Sequence, residues 1–328
     1  MTASDLLNEI DRLRNACIGC GRCSAVCPSF RHGGIDPAEV MAGGEADMAM
    51  CICCGNCSKI CRRTDPAKVM MDLIAVARDM HPSQTFKDTG YVAPVPDDAP
   101  TPKWTGDDVY VMPGCIAKCK VPYVLYAASE ALSAIGFAAS ELPGNTCCLH
   151  PVQFRDMPDP ERRSYRTRMG DSAHGREIIT LCAGCSEEFE DSGVEAGHII
   201  RFLYRNIERL PRFDRPMKVA IEPGCAAMPF KDEMRAVIEA MGCEVVNTSM
   251  GCCGKGTPVA GALMAERQDE CSEADWIVVG CPMCQVKYDS YDGGKPSMHI
   301  AELVAMASGK MESLRFHRIS GRSRGNDP

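Results

Sequence analysis

The chain has 328 residues, a formal net charge of −8 and 22 cysteines. The acidic balance argues against nucleic acid as the main partner. The best apolar stretch, residues 124–139, is broken by Glu130 and is short of the roughly 18 residues of a membrane span. So many thiols in a chain of this length, opening on a polar N-terminus without a secretory leader, point to metal ligation in a reducing, cytoplasmic setting rather than to a disulfide framework.

Residues 4–16 predict an amphipathic helix with Leu6, Leu7, Ile10 and Leu13 as its apolar stripe and Ser4 as its N-cap. Cys17, Cys20, Cys23 and Cys27 follow, the last before Pro28, in the spacing of the bacterial ferredoxin run. Cys51, Cys54, Cys57 and Cys61 repeat that spacing, with Arg62 in place of the proline and Cys53 as an extra thiol, read as a buried spare. Short spacings let three thiolates wrap one cubane, and the fourth reaches the other cluster. Cys17, Cys20, Cys23 and Cys61 are therefore expected on one 4Fe–4S cluster, and Cys51, Cys54, Cys57 and Cys27 on the second. A helix over 66–80 starts at Pro66. The proline-rich stretch 86–106 reads as an extended surface linker.

Beyond it the pattern alternates between strands and helices: strand 108–114, helix 121–137, strand 137–142, helix 160–176, strand 177–181 and helix 198–210. After a break at 211–216 the order recurs, with strand 218–224, helix 232–241, strand 243–246, helix 257–271 and strand 275–280. A basic tail begins at Gly309. The repeat predicts two pseudo-symmetric α/β halves with their sites at the carboxyl ends of the strands.

Each half carries the same five thiols. They are Cys115, Cys147, Cys148, Cys182 and Cys185 in the first, and Cys225, Cys252, Cys253, Cys281 and Cys284 in the second. Five exceed what one tetrahedral zinc can use, and two adjacent cysteines reach two irons of a cluster more readily than one ion, so the pattern favours iron–sulfur assembly. Cys119, Cys243 and Cys271 fit neither set and read as core thiols. His150, beside the first cysteine pair, is the nearest proton donor; the plainer reading is a packed or exposed histidine. Arg162, Arg163, Arg166 and Arg168 share a predicted helix. Arg162 and Arg166, with Lys255, are candidates for holding an anionic substrate group; the plainer reading is a solvated face or partner surface. No Gly-x-Gly-x-x-Gly fingerprint is present, so FAD or NAD is not expected in this chain.

These residues resemble the duplicated cysteine-rich CCG domains of the heterodisulfide reductase B subunit, preceded by a front end similar to its two-cluster C subunit. The order is similar to the fused D subunit. The resemblance implies an N-terminal α-helical two-cluster ferredoxin domain (1–85), a linker (86–106), two CCG domains (107–212 and 213–308) and a tail (309–328). It implies one non-cubane 4Fe–4S cluster per CCG domain, besides the two cubanes, and the disulfide CoM-S-S-CoB split between them by an oxidoreductase working as part of a complex. The partner would be a flavin-containing A-like subunit or a membrane cytochrome b, with a dehydrogenase or hydrogenase as donor. Related CCG proteins serve fumarate reductases and succinate, lactate or glycolate dehydrogenases. An electron-transfer subunit or an accessory redox protein is therefore the alternative. Three departures stand out. The chain is short for the fused D subunit. Leu149 replaces the glycine after the first cysteine pair. The second copy is compressed, with 26 and 27 residues between its motifs against 31 and 33 in the first.

Overall fold

The computed structural model of the chain describes residues 2–78, 81–150, 152–249 and 251–317. The end of the helix expected over 66–80 and most of the expected tail lie outside these residues.

The first helix spans Ala3–Asn15 and buries Leu6, Ile10 and Leu13. Its cap is Thr2 rather than Ser4, in a reciprocal capping box with Asp5. Both residue types satisfy a free helix N–H, but the pairing with an acid three positions later favours Thr2. Leu7 is turned out, 45% exposed, because three stripe positions already fill the contact with helix Pro66–Ala77. That second helix is capped by Asp65 and has Pro66 in its first turn. Its Asp72, fully buried, binds Lys68 at 3.1 Å and Arg155 at 2.8 Å, which ties the front segment to the chain beyond the linker. The linker is not merely extended. It begins inside helix Gln84–Thr89, and Phe86, Tyr91 and Val92 pack against Cys115, Cys147 and Leu149.

Among the described residues two four-stranded parallel sheets follow. The first contains β1 (Val109–Met112), β2 (Ala139–Glu141), β3 (Glu177–Thr180) and β4 (Ala196–His198). The second contains β5 (Lys218–Glu222), β6 (Glu244–Thr248), β7 (Trp276–Val279) and β8 (Ser297–His299). Their orders match: β2-β1-β3-β4 and β6-β5-β7-β8. The inner strands are continuous buried runs, as parallel strands covered on both faces must be. In each sheet the chain steps outward from the first strand on one side, then on the other. The switch point between β1 and β3, or β5 and β7, is where such folds leave a crevice at the carboxyl ends.

The halves share one core. Helix Pro122–Ala134, after β1, lies against helix Ile300–Ala307, after β8. Helix Ile199–Arg205, after β4, lies against helix Lys231–Ala240, after β5. Each contact is the other's mirror under the repeat. A buried polar network adds to this interface. Tyr123 bonds Asp289 across it, and His317 bridges Asp289 at 3.2 Å and Glu302 at 2.8 Å. Burial alone would push His317 down, but the two carboxylates hold it up at about 10.

Candidate iron–sulfur sites

The two front motifs share one local design. Gly21 and Gly55 take left-handed backbone (φ 70° and 78°) and start short helices, Arg22–Ala25 and Asn56–Ile60, directly after Cys20 and Cys54. Ser24 and Ser58 then bond Asp36 and Asp65, and each serine Oγ accepts from a later backbone N–H, Ala38 at 3.0 Å and Ala67 at 2.8 Å. A cavity is lined by Cys51, Cys54 and Cys57 together with Cys27, the grouping expected for crosswise ligation; Cys53 lines it too. Cys20 is exposed, Cys23 is buried beside Cys17, and Cys61 caps the end of the second short helix.

The ten thiols of the two halves form one chain of contacts. Cys115 touches Cys147, then come Cys148, Cys185 and Cys182. Cys225 touches Cys252, then Cys253, Cys284 and Cys281. The two runs meet where Cys182 touches Cys281. Cys148 and Cys185 sulfurs are 3.2 Å apart. The thiol positions of the first half follow from topology: Cys115 lies in the short helix Gly114–Cys119 just after β1, Cys147 and Cys148 follow β2, and Cys182 caps helix Ala183–Glu190 just after β3. Among the described residues no three His, Cys, Asp or Glu side chains are grouped as round a single metal ion. A four-iron cluster spreads its thiolates over several irons, and these soft, buried, thiol-only sets suit it.

The backbone beside the sulfurs leaves room for the thiols themselves and no side chain. Gly114 and Gly224 both have φ near 80°, and a Cβ on either would lie 2.9 Å from the sulfur of Cys185 or Cys284. Leu149 keeps the left-handed conformation (φ 63°) that Gly254 takes in the second half (φ 74°), so the departure changes the residue and not the turn.

His150 and Lys255 hold equivalent places, one residue beyond those turns. His150 Nδ1 pairs with Glu188 at 3.1 Å; burial opposes its charge, yet the carboxylate raises it above the ordinary value. Lys255 Nζ donates to the Cys53 carbonyl at 3.3 Å, and the thiols Cys225 and Cys53 hold its charge up against burial. The helix Asp159–Asp171 does not present its arginines as expected. Arg162 and Arg166 are buried, while Arg163 and Arg168 face solvent. Arg166 is held by Glu188 at 2.7 Å, Ser192 Oγ at 2.6 Å and the Cys148 carbonyl at 3.2 Å, and Arg162 by Asp159. The solvated-face reading fails for these two as well: the half-charged helix turns them under the first cysteine pair. Cys119, Cys243 and Cys271 are buried and outside the chain of ten.

Three groups were not singled out from sequence. Glu188 orients both His150 and Arg166. Glu222, at the end of β5, is fully buried, accepts from Gly224 N–H at 3.2 Å and from Tyr288 at 3.1 Å, and burial pushes it up to about 8. His198 and His299 cap equivalent helices. Each histidine ends the last short strand of its half, and those three-residue strands leave no pattern in the sequence.

The front segment reaches the second half directly. Cys54 and Ile52 pack with Cys225, Cys252, Val259 and Leu263, and Lys59 Nζ donates to the Cys225 carbonyl at 3.2 Å. Arg31 and His32 bind Glu266 at 3.2 and 2.9 Å.

Residues 9–62 match the 4Fe-4S dicluster domain family. The chain is 25% identical over 265 aligned residues to the B subunit of the ferredoxin/F(420)H(2)-dependent CoB-CoM heterodisulfide reductase of Methanosarcina acetivorans, covering 60% of this chain and 87% of that protein. It is 24% identical to the B subunit of the ferredoxin:CoB-CoM heterodisulfide reductase of Methanosarcina mazei, with the same coverage. The B subunit of the fumarate reductase (CoM/CoB) of Methanothermobacter marburgensis is 26% identical over 62% of this chain and 47% of its own length. Among solved structures an aspartate racemase homologue from Pyrococcus horikoshii overlaps 62% of the chain and 99% of its own at 14% identity and a TM-score of 0.28, too low to carry an argument.

Proposed function

Taking the chain as heterodisulfide reductase-like, as its relatives and its dicluster segment support, we propose that it is the iron–sulfur subunit at which such a complex reduces a disulfide to two thiols. The continuous chain of ten thiols, meeting at Cys182 and Cys281, carries this reading. A disulfide needs two electrons, and a cluster held by each five-thiol set would supply them one at a time. The residues do the rest. Cys17, Cys20, Cys23 and Cys61, with Cys51, Cys54, Cys57 and Cys27, hold the two cubanes of the front segment. The contact of Cys54 with Cys225 and Cys252 sets the front segment against the second thiol set. His150, whose protonated form Glu188 favours, gives its proton to one product thiolate. Lys255 offers a cation to the anionic end of the other. Arg162 and Arg166 act from beneath, Arg166 by fixing Glu188 and the Cys148 carbonyl rather than by touching substrate.

The test is viologen-linked reduction of CoM-S-S-CoB by the anaerobically loaded chain. Turnover is expected, and His150→Ala should lower it at least tenfold while iron content stays the same. A fully loaded chain without turnover favours the second reading, an electron-transfer subunit of a fumarate reductase or hydroxy-acid dehydrogenase, which the fumarate reductase relative supports. Crosswise ligation is tested separately. Cys27→Ser should remove the cluster of Cys51, Cys54 and Cys57 and spare that of Cys17, Cys20 and Cys23, as read by EPR.

A further inference from the structure

His198 and His299 are fully buried and occupy equivalent places, at the ends of β4 and β8. In each, Nδ1 accepts the N–H two residues on, from Ile200 or Ala301, at 3.3 Å. A neutral ring that accepts at Nδ1 carries its proton on Nε2. Both Nε2 atoms are buried without a hydrogen-bond partner. A buried donor left open is rare enough to need a reason.

Their surroundings supply one. The His198 ring lies beside the backbone of Leu181, in its own half, and of Gly280, in the other; Cys281 is also near it. The His299 ring lies beside His198 and beside Leu181, again across the interface. Leu181 and Gly280 are the residues directly before Cys182 and Cys281, the two thiols that meet between the halves. Gly280 leaves no room for adjustment there: a Cβ on it would lie 2.9 Å from Ile200 Cδ1 and 2.9 Å from the Pro223 carbonyl oxygen. Two inward Nε2–H donors thus stand next to the carbonyl-bearing backbone that carries the two facing cysteines.

We infer that His198 and His299 form a clamp across the halves, positioning Cys182 and Cys281 through the backbone of Leu181 and Gly280, directly or through one buried water. The pair are positioning residues and touch no substrate. The inference rests on the reading of the thiol sets as cluster sites and adds a specific consequence. Because each ring addresses the opposite half, a change at His198 must be felt at the second thiol set, and a change at His299 at the first.

His198→Asn keeps a side-chain acceptor for the helix N-terminus but is too short to reach the other half; His198→Gln keeps an amide donor at the Nε2 reach. EPR of the anaerobically reduced chain and its iron content are the readouts, with Cys225→Ser used to assign the second-set signal. We expect His198→Asn to shift or abolish the second-set signal and His198→Gln to restore it in part, with His299→Asn doing the same to the first-set signal. A change confined to each variant's own half, or no change, overturns the clamp. If His198→Asn loads no cluster, His299→Asn decides by the same criterion, and iron lost from both halves in both variants supports the clamp, whereas iron lost only from the mutated half overturns it. Wild-type chain lacking iron in these sets sinks the underlying reading and the clamp with it. Wild-type signals that the variants leave unmoved sink the clamp alone.

Discussion

The two halves have the same strand order, the same five thiols, the same glycine under the fifth sulfur and the same buried histidine cap. What differs lies one layer out. Gly114 N–H meets Met112 sulfur in the first half, and Gly224 N–H meets the Glu222 carboxyl in the second, both at 3.2 Å. His150, tied to Glu188, stands where the second half has Lys255, tied to Cys53 of the front segment. The repeat thus preserves whatever sets sulfur positions and varies whatever sets charge and proton supply. Under the proposed function, a disulfide between these walls would meet a proton donor on one side and a fixed cation on the other, which suits two unlike thiol products.

The sharpest way to break that comparison is to fill the shared glycine sites. Gly224→Ala should displace Cys284 and empty the second set, and Gly114→Ala should displace Cys185 and empty the first, because a Cβ meets sulfur at 2.9 Å and φ is positive in both. Iron content and EPR read the result; a tolerated substitution in one half only would show that the equivalence is superficial. The next effect is on stability. Leu149→Gly gives the first half the second half's residue and relieves roughly 1–2 kcal/mol of left-handed strain. It also removes a fully buried side chain packed on Phe154, worth about 2–5 kcal/mol. Packing outweighs the relief, so urea denaturation should show a net loss of up to about 4 kcal/mol. The smallest effect concerns the buried acid. Burial raises Glu222 from 4.5 to about 8. Its contribution to stability is therefore full below about 4.5 and is lost as pH rises through about 8. Glu222→Gln should remove this fall, so the variant gains on the wild type by at most about 1.4 kcal/mol per pH unit across that window. Equal pH dependence of the two would mean that Glu222 is not held neutral.

Much of this plan is legible in the cysteine spacings, because a thiol set built from a pair and a Cys-x-x-Cys is local information. The inner strands are equally legible as short buried runs before Cys115, Cys182, Cys225 and Cys281. The outer strands β4 and β8 are three residues each and carry no periodicity to read. The helices Ala183–Glu190 and Pro282–Asp289 begin inside the Cys-x-x-Cys motifs, where the ligand pattern masks the first turn. Arg166 reads as exposed because its helix is mostly charged, and only the fold reveals Glu188 beneath it. The clamp of His198 and His299, and the meeting of Cys53 with Lys255, depend on residues far apart in sequence, so no local pattern announces them.

The front segment has two unlike ends. Cys20 and Ile18, the latter 64% exposed, lie at the surface, and Cys54 is packed against the second thiol set. Under the proposed function this makes a single-file lead with one outer terminal, so the two electrons of each turnover arrive separated in time. The interior must then wait, half-charged, for the second. The near-complete burial of Cys147, Cys148, Cys252 and Cys253 sets how long that wait can safely last, because a half-charged centre reached by oxygen would discharge before its partner electron came.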